Sequence, residues 1–216
     1  MKKPARSGGL ASIAGDRVHL RPPRPGDFAD WVRLRRENRN YLRLAEPAVP
    51  RGFDPYGAEA FERLLVSAST ERTRRFFVCD NETKALLGQV SLSDISRGPF
   101  QSCFAGYWIG RRHSNKGLMS EALALAIRYA FEELKLHRVE ANIRPENLAS
   151  RAVAAKCGLR CEGVALRLLK LAGQWRDHER WAITLEDLGR RRRPAGVVRN
   201  RKGPASTNAR HTSTSR

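Results

Sequence analysis

From Arg111 to Ser120 the chain reads RRHSNKGLMS, and three cations, Arg111, Arg112 and Lys116, surround one glycine, Gly117, with no acidic residue from 113 to 120. An apolar repeat of helical period follows at once in EALALAIRYAF. A helix start leaves about four backbone N–H groups without an acceptor and carries roughly half a positive charge. Cations stacked on that pole are unfavourable unless an anion arrives from outside. The chemistry indicated is therefore anion capture, with Gly117 admitting close backbone approach and Ser114, Asn115 and Ser120 adding hydrogen-bond donors. A solvated basic loop capped by Ser114 or Asn115 is the other reading of these residues. The stretch matches neither G-x-x-x-x-G-K-S/T nor G-x-G-x-x-G.

Further candidates lie downstream. In HRVEANIR, Glu140 and Asn142 are two residues apart and share a strand face. Asn147 and Ser150 open the helical segment NLASRAVAAKC, where Asn147 is also a natural cap. Asp177 and His178 fall in GQWRDHERW near a hairpin turn, placed to orient a substrate or to serve a turn network. The four cysteines, Cys79, Cys103, Cys157 and Cys161, show no metal-ligand or C-x-x-C spacing and read as reduced, buried thiols.

The elements that must hold these residues alternate along the chain. RVHLRPP is a short strand, and PGDFADWVRLRREN a helix with Asp27 as its expected N-cap and Phe28, Trp31, Val32 and Leu34 on one face. YGAEAFERLLVSAST repeats the helical spacing through Ala60, Phe61, Leu64 and Leu65. RRFFVCD, KALLGQVSLSDI and QSCFAGYWIG form an antiparallel meander with turns at NET and SRGPF. After the glycine loop and its helix come the strand HRVEANIR, the helix NLASRAVAAKC and a strand pair turning near Ala172 to Gln174. The sum is an α+β fold, a mixed, mostly antiparallel sheet with helices on both faces.

The 216 residues suit one domain with extensions. Residues 189–216 carry nine Lys/Arg and no acidic residue, and residues 1–15 carry three Lys/Arg. Removing that +9 and +3 from the total of +19 leaves +7 on residues 16–188, the expected folded domain. Residues 1–15 are expected to be flexible and residues 189–216 disordered, because few large apolar side chains offset the entropy of ordering. A basic protein of this kind attracts nucleic acid, anionic cofactors or acidic proteins. No apolar run approaches the ~18 residues of a membrane span and the N-terminus lacks an apolar leader, which places the chain in the cytoplasm with no membrane partner.

Together GYWIG, NKGLMSEAL, HRVEANIRPEN and GQWRDH resemble the GCN5-related N-acetyltransferase (GNAT) superfamily, in its ribosomal-protein-alanine N-acetyltransferase branch. The family's loop pattern, Arg/Gln-x-x-Gly-x-Gly/Ala, falls on Ser114, Asn115, Lys116, Gly117, Leu118 and Met119, with Gly117 at its glycine. The resemblance covers roughly residues 16–188 and implies acetyl-CoA as co-substrate. It implies that the pyrophosphate sits on 114–119, that pantetheine pairs with the exposed strand backbone at Trp108, Ile109 and Gly110, and that Asn147 contacts the coenzyme arm. It assigns Ser150 to the thioester sulfur. Asn142 and Ala154 occupy the positions where related enzymes carry a Glu base and a Tyr acid, so Glu140 is the alternative base, acting through water, or else a carboxylate paired with one of the many arginines, and Glu140, Asn142 and Ser150 are the catalytic candidates. The implied acceptor is the α-amine of an N-terminal alanine or serine of a ribosomal protein. Two further readings stay open: an RNA- or ribosome-associated assembly factor, with the basic tail contacting RNA, and an acetyltransferase of a small-molecule amine.

Overall fold

In the computed structural model, which describes residues 11–43, 46 and 48–191, the alternating segments join one nine-stranded mixed sheet. Its strands are β1 (Ile13–Ala14), β2 (Val18–Arg21), β3 (Ser69–Thr70), β4 (Thr73–Asp80), β5 (Leu86–Ser96), β6 (Ser102–Ile109), β7 (Arg138–Ile143), β8 (Arg160–Leu171) and β9 (Gln174–Thr184). They run in the order β1-β2-β4-β5-β6-β7-β9-β8, with β3 pairing β4. Only β6 and β7 pair in parallel; the other ladders are antiparallel. The helices are α1 (Phe28–Glu37), α2 (Arg39–Leu42), α3 (Ala58–Val66), α4 (Leu118–Glu132), α5 (Leu148–Cys157) and α6 (Leu185–Arg191).

The run Phe76-Phe77-Val78-Cys79 shows why the meander reads as continuously apolar. Successive strand residues point to opposite faces, and both faces are covered. Phe76 and Val78 join the larger core with β2, β5, β7, α4 and α5. Phe77 and Cys79 join Trp31 of α1 and Phe61 of α3 on the opposite face. Ala122, Ala126 and Ala130, at i, i+4 and i+8 on α4, are completely buried, so small side chains let this helix lie close on the sheet. Trp31 and Phe61 meet with ring centroids 5.2 Å apart, a tilted aromatic pair joining α1 to α3.

Several sequence expectations are corrected. Asp27 does not cap α1 through its side chain; its carboxylate accepts from the Arg24 amide and pairs with Arg21 at 2.7 Å, bracing a 3-10 turn at Pro25–Asp27. Cys161 is exposed, whereas Cys79, Cys103 and Cys157 are buried. The edge strand β1 lies inside residues 1–15, drawn onto the sheet by pairing with His19 and Leu20, and α6 continues past residue 188 to Arg191. The expectations for residues 1–10 and for 192–216 of the basic tail lie outside the described residues. The outermost strand, β8, shifts register twice against β9, between Cys161 and Val164 and between Ala165 and Leu169. Among the described residues no helix is long and apolar enough to cross a membrane.

Candidate active site

The site begins where one ladder stops. β6 and β7 are paired only from Ser102–Arg138 to Phe104–Glu140, yet β6 runs on to Ile109 and β7 to Ile143. The other edge of β6 remains paired to β5 as far as Gly88 opposite Ile109. A Cβ at Gly88 would lie 2.2 Å from the Trp108 carbonyl oxygen, so only glycine admits this close approach. Between the diverging strands a slot opens through the sheet, with unpaired β6 backbone along one wall. Strand alternation puts Tyr107 and Ile109 on the face of α4 and α5, and Gly106 and Trp108 on the opposite face with Glu140 and Asn142. The Trp108 ring carries the Arg35 guanidinium of α1 at 5.3 Å, which agrees with that assignment.

At the end of β6, the Gly110 amide bonds to the Leu87 carbonyl and the Arg111 amide to Asn38 Oδ1, at 2.9 and 2.8 Å, which fixes the exit direction of the loop. Asn115 and Gly117 then take left-handed backbone conformations, φ 61° and 77°. Gly117 stands at the N-cap of α4, where no side chain caps the helix. Glu121, the one acid of the first turn, is committed elsewhere, accepting from the Arg17 and Val18 amides at 2.8 and 3.2 Å and pairing with Arg17 Nε at 3.1 Å. The first-turn amides therefore stay open to an outside anion. The Ser114 hydroxyl is buried without a partner, and a Cβ built on Gly117 would lie 3.3 Å from Arg17 Nη2 and 3.5 Å from Lys156 Nζ. An orphaned donor, open amides and two flanking cations fit a pyrophosphate. Burial, Lys116 and Arg112 lower the His113 pKa, so this ring stays neutral beside the cradle at pH 7.

A cleft of about 520 Å³ links the slot to the cradle. Of the residues singled out in the sequence, Trp108, Ile109, Ser114, Asn115, Gly117 and Met119 line it on one side, and Asn147 and Ser150 of the α5 start on the other. Asn147 caps α5, its Oδ1 accepting from the Ser150 amide at 3.1 Å. Ser150 is held a second time by the Tyr107 hydroxyl, which donates to its carbonyl at 3.0 Å across the slot. Burial keeps the Tyr107 phenol far above its ordinary pKa, so it is a neutral donor. The Ser150 hydroxyl itself makes no hydrogen bond among the described residues and is available to a ligand.

Gly110, Lys116, Leu118, Glu140 and Asn142 do not line the cleft. Leu118 turns into the core, and the Lys116 carbonyl accepts from Arg17 Nη1 at 2.9 Å. Glu140 is buried and ion-paired to Arg138 at 3.1 Å and Arg180 at 2.8 Å; burial alone would raise its pKa, but the two guanidiniums outweigh this and leave it lowered. A carboxylate held ionised by two cations is a poor proton acceptor, so the structure gives Glu140 a bracing position in place of the base expected from its strand face. Asn142 keeps a buried Oδ1 without a partner on the face away from α5. Asp177 accepts from the Arg167 amide at 2.7 Å in the hairpin, and the buried His178 donates from Nδ1 to the Arg176 carbonyl at 2.9 Å. Tyr107 went unnoticed in GYWIG although alternation from Ile109 puts it on the cleft face; Arg17 and Lys156 carried no sequence signal, being distant from the loop they flank.

An open parallel fork beside an uncapped, cation-flanked helix start suits an acyltransferase that uses coenzyme A. Residues 17–160 match the model of the acetyltransferase (GNAT) domain, and the chain belongs to that family, with acetyl-CoA as co-substrate for transfer to an amine. It is similar to the probable N-acetyltransferase YjcK of Bacillus subtilis, 36% identical over 180 residues that make up 81% of this chain and 98% of that protein. It is also similar to the ribosomal protein uS5-alanine N-acetyltransferase of Escherichia coli, 36% identical over 153 residues, 70% of this chain and 79% of the relative. Among solved structures, Mycobacterium smegmatis RimJ in complex with CoA-disulfide superposes with a TM-score of 0.77 at 32% identity, covering 83% of this chain and 90% of that one.

Proposed function

We propose that the acceptor is the α-amine of a protein N-terminus with a small first residue, alanine or serine, carried by a ribosomal protein. The name of the Escherichia coli relative supports the substrate class. The observation that carries it is the proton chemistry of the cleft. Among the described residues Glu146 is the one carboxylate lining it, and a hydrogen bond from its own backbone and the Arg144 guanidinium hold its pKa down. An α-amine, near ~7.7–8.0, is already partly neutral at pH 7, while a lysine near ~10.4 needs more than a thousandfold correction. A cleft without a strong base therefore suits the α-amine, and its surrounding cations oppose a polyamine.

In the reaction the amine nitrogen bonds to the thioester carbon, the C–S bond breaks, and the amine gives up a proton to water. The unpaired β6 amides beside the slot can polarise the thioester carbonyl. The Ser150 hydroxyl, with both of its backbone groups fixed, is the donor offered to the leaving thiolate. With Ala-first peptides, kcat/KM should rise with pH and level off above about pH 8, following the free α-amine, and mass spectrometry should place the acetyl group on the α-nitrogen. Acetylation confined to lysine side chains, with a rise continuing toward pH 10, would overturn the reading, as would faster turnover of spermidine.

A further inference from the structure

The cations of this molecule fall into two groups around the cleft. Arg17 and Lys156 flank the anion cradle at Gly117. A second group stands at the other opening. α2 contributes Tyr41 and Leu42 to the cleft lining, and the exposed Arg39 and Arg43 flank that pair in the chain. Facing α2 is the β8–β9 hairpin, whose turn residue Ala172 donates its amide to the Glu46 carbonyl at 3.0 Å, closing the hairpin over the segment that follows α2. On β9, Arg176, His178 and Arg180 alternate onto the face that carries Glu140 and Asn142, as the Arg180–Glu140 pair shows. That is the face opposite α5. The field of Arg176 extends to the cleft residue Glu146.

Around this opening, among the described residues, Arg35 and Arg144 are paired with the carboxylates of Glu46 and Glu146, and Arg39, Arg43 and Arg176 add three further guanidiniums. Arg39, Arg43 and Arg176 form no salt bridge among the described residues, in a protein where most other arginines of the sheet and helices do. Building on the N-terminal acceptor reading, we infer that this opening recognises an acidic stretch just behind the acceptor residue, with Arg39 and Arg43 on one side and Arg176 on the other taking its carboxylates.

The test uses three Ala-first peptides with two Glu, two Gln or two Lys among positions two to five, assayed on the full chain with saturating acetyl-CoA by thiol release. Two exposed ion pairs should make kcat/KM for the Glu peptide about tenfold that of the Gln peptide at low salt, with the Lys peptide slowest. Screening at high salt should bring the ratio to within about twofold. Changing Arg39→Gln and Arg176→Gln together should collapse the ratio at low salt, while the thermal shift caused by acetyl-CoA shows that the fold and cradle persist. Equal rates for Glu and Gln peptides in the parent protein, or an unchanged ratio in the double variant, would overturn the inference and leave the α-amine reading standing. Equal peptide rates with inhibition by a short RNA would overturn it in favour of a nucleic-acid surface. Failure to acetylate the α-amine of any peptide would overturn the acceptor reading and this inference with it.

Discussion

Gly117 combines three requirements in one residue: a left-handed backbone, an uncapped helix start and room between Arg17 and Lys156. Gly117→Asp adds a side chain at φ 77° and a negative charge where phosphates must lie. It should weaken coenzyme binding by at least about 30-fold, roughly 2 kcal/mol, and remove the thermal stabilisation that acetyl-CoA gives the parent protein. A Kd within threefold of the parent value, measured by calorimetry, would show that the phosphates lie elsewhere. Gly117 and Asn147 were legible in the sequence because each expresses a local rule of backbone freedom or capping, whereas Ser150 was singled out by the family resemblance alone. Glu140 stayed open between a base and an arginine partner because one of its two cations, Arg180, comes from another strand, and register decides which arginine meets which carboxylate across strands. Tyr107 was passed over because a tyrosine in a strand reads as packing until the strand across the slot is known to leave.

Elements of clear period were found near their true positions: the meander β4–β5–β6, α4, β7, α5 and the β8–β9 hairpin. The short ones, β1, β3 and α2, have two to four residues each, too few to show a period, and exist because a longer neighbour pairs with or packs on them. Between elements, an ionic chain runs from Arg180 through Glu140, Arg138, Glu162 and Arg160 to Asp187, joining β9, β7, β8 and α6. Glu140, Glu162 and Asp187 all have lowered pKa values in the fold. Their stabilisation is therefore present above the unfolded carboxylate range, near ~4, and is lost as pH falls through their folded values. Thermal stability should hold from pH 7 to about 5 and decline below about 4. Glu140→Gln should cost on the order of 2 kcal/mol at pH 7, about 4–8 °C in Tm, and flatten the acid limb. An acid limb identical to the parent's would remove Glu140 from this account.

On the scale of the whole molecule, the sheet is protected unevenly at its two margins. One ends in the two-residue β1, too short to receive another strand. The other ends in the twelve-residue β8, which shows Val164 and Leu166 to solvent at 57% and 68% exposure. A long, apolar, unpaired border of this kind is a template on which a second chain can add its own strand. The register breaks near Val164 and between Ala165 and Leu169, with Gly163 at φ 134° and Arg167 at φ 50°, interrupt the row of donors and acceptors before it is long enough to be copied. Deleting Arg167 would straighten part of that border, and light scattering should then grow with protein concentration where the parent stays dispersed; no change in scattering would mean that the kinks are not what keeps copies apart. The irregularity of β8 thus acts as a guard on solubility, kept at the margin of a sheet whose centre is opened for chemistry.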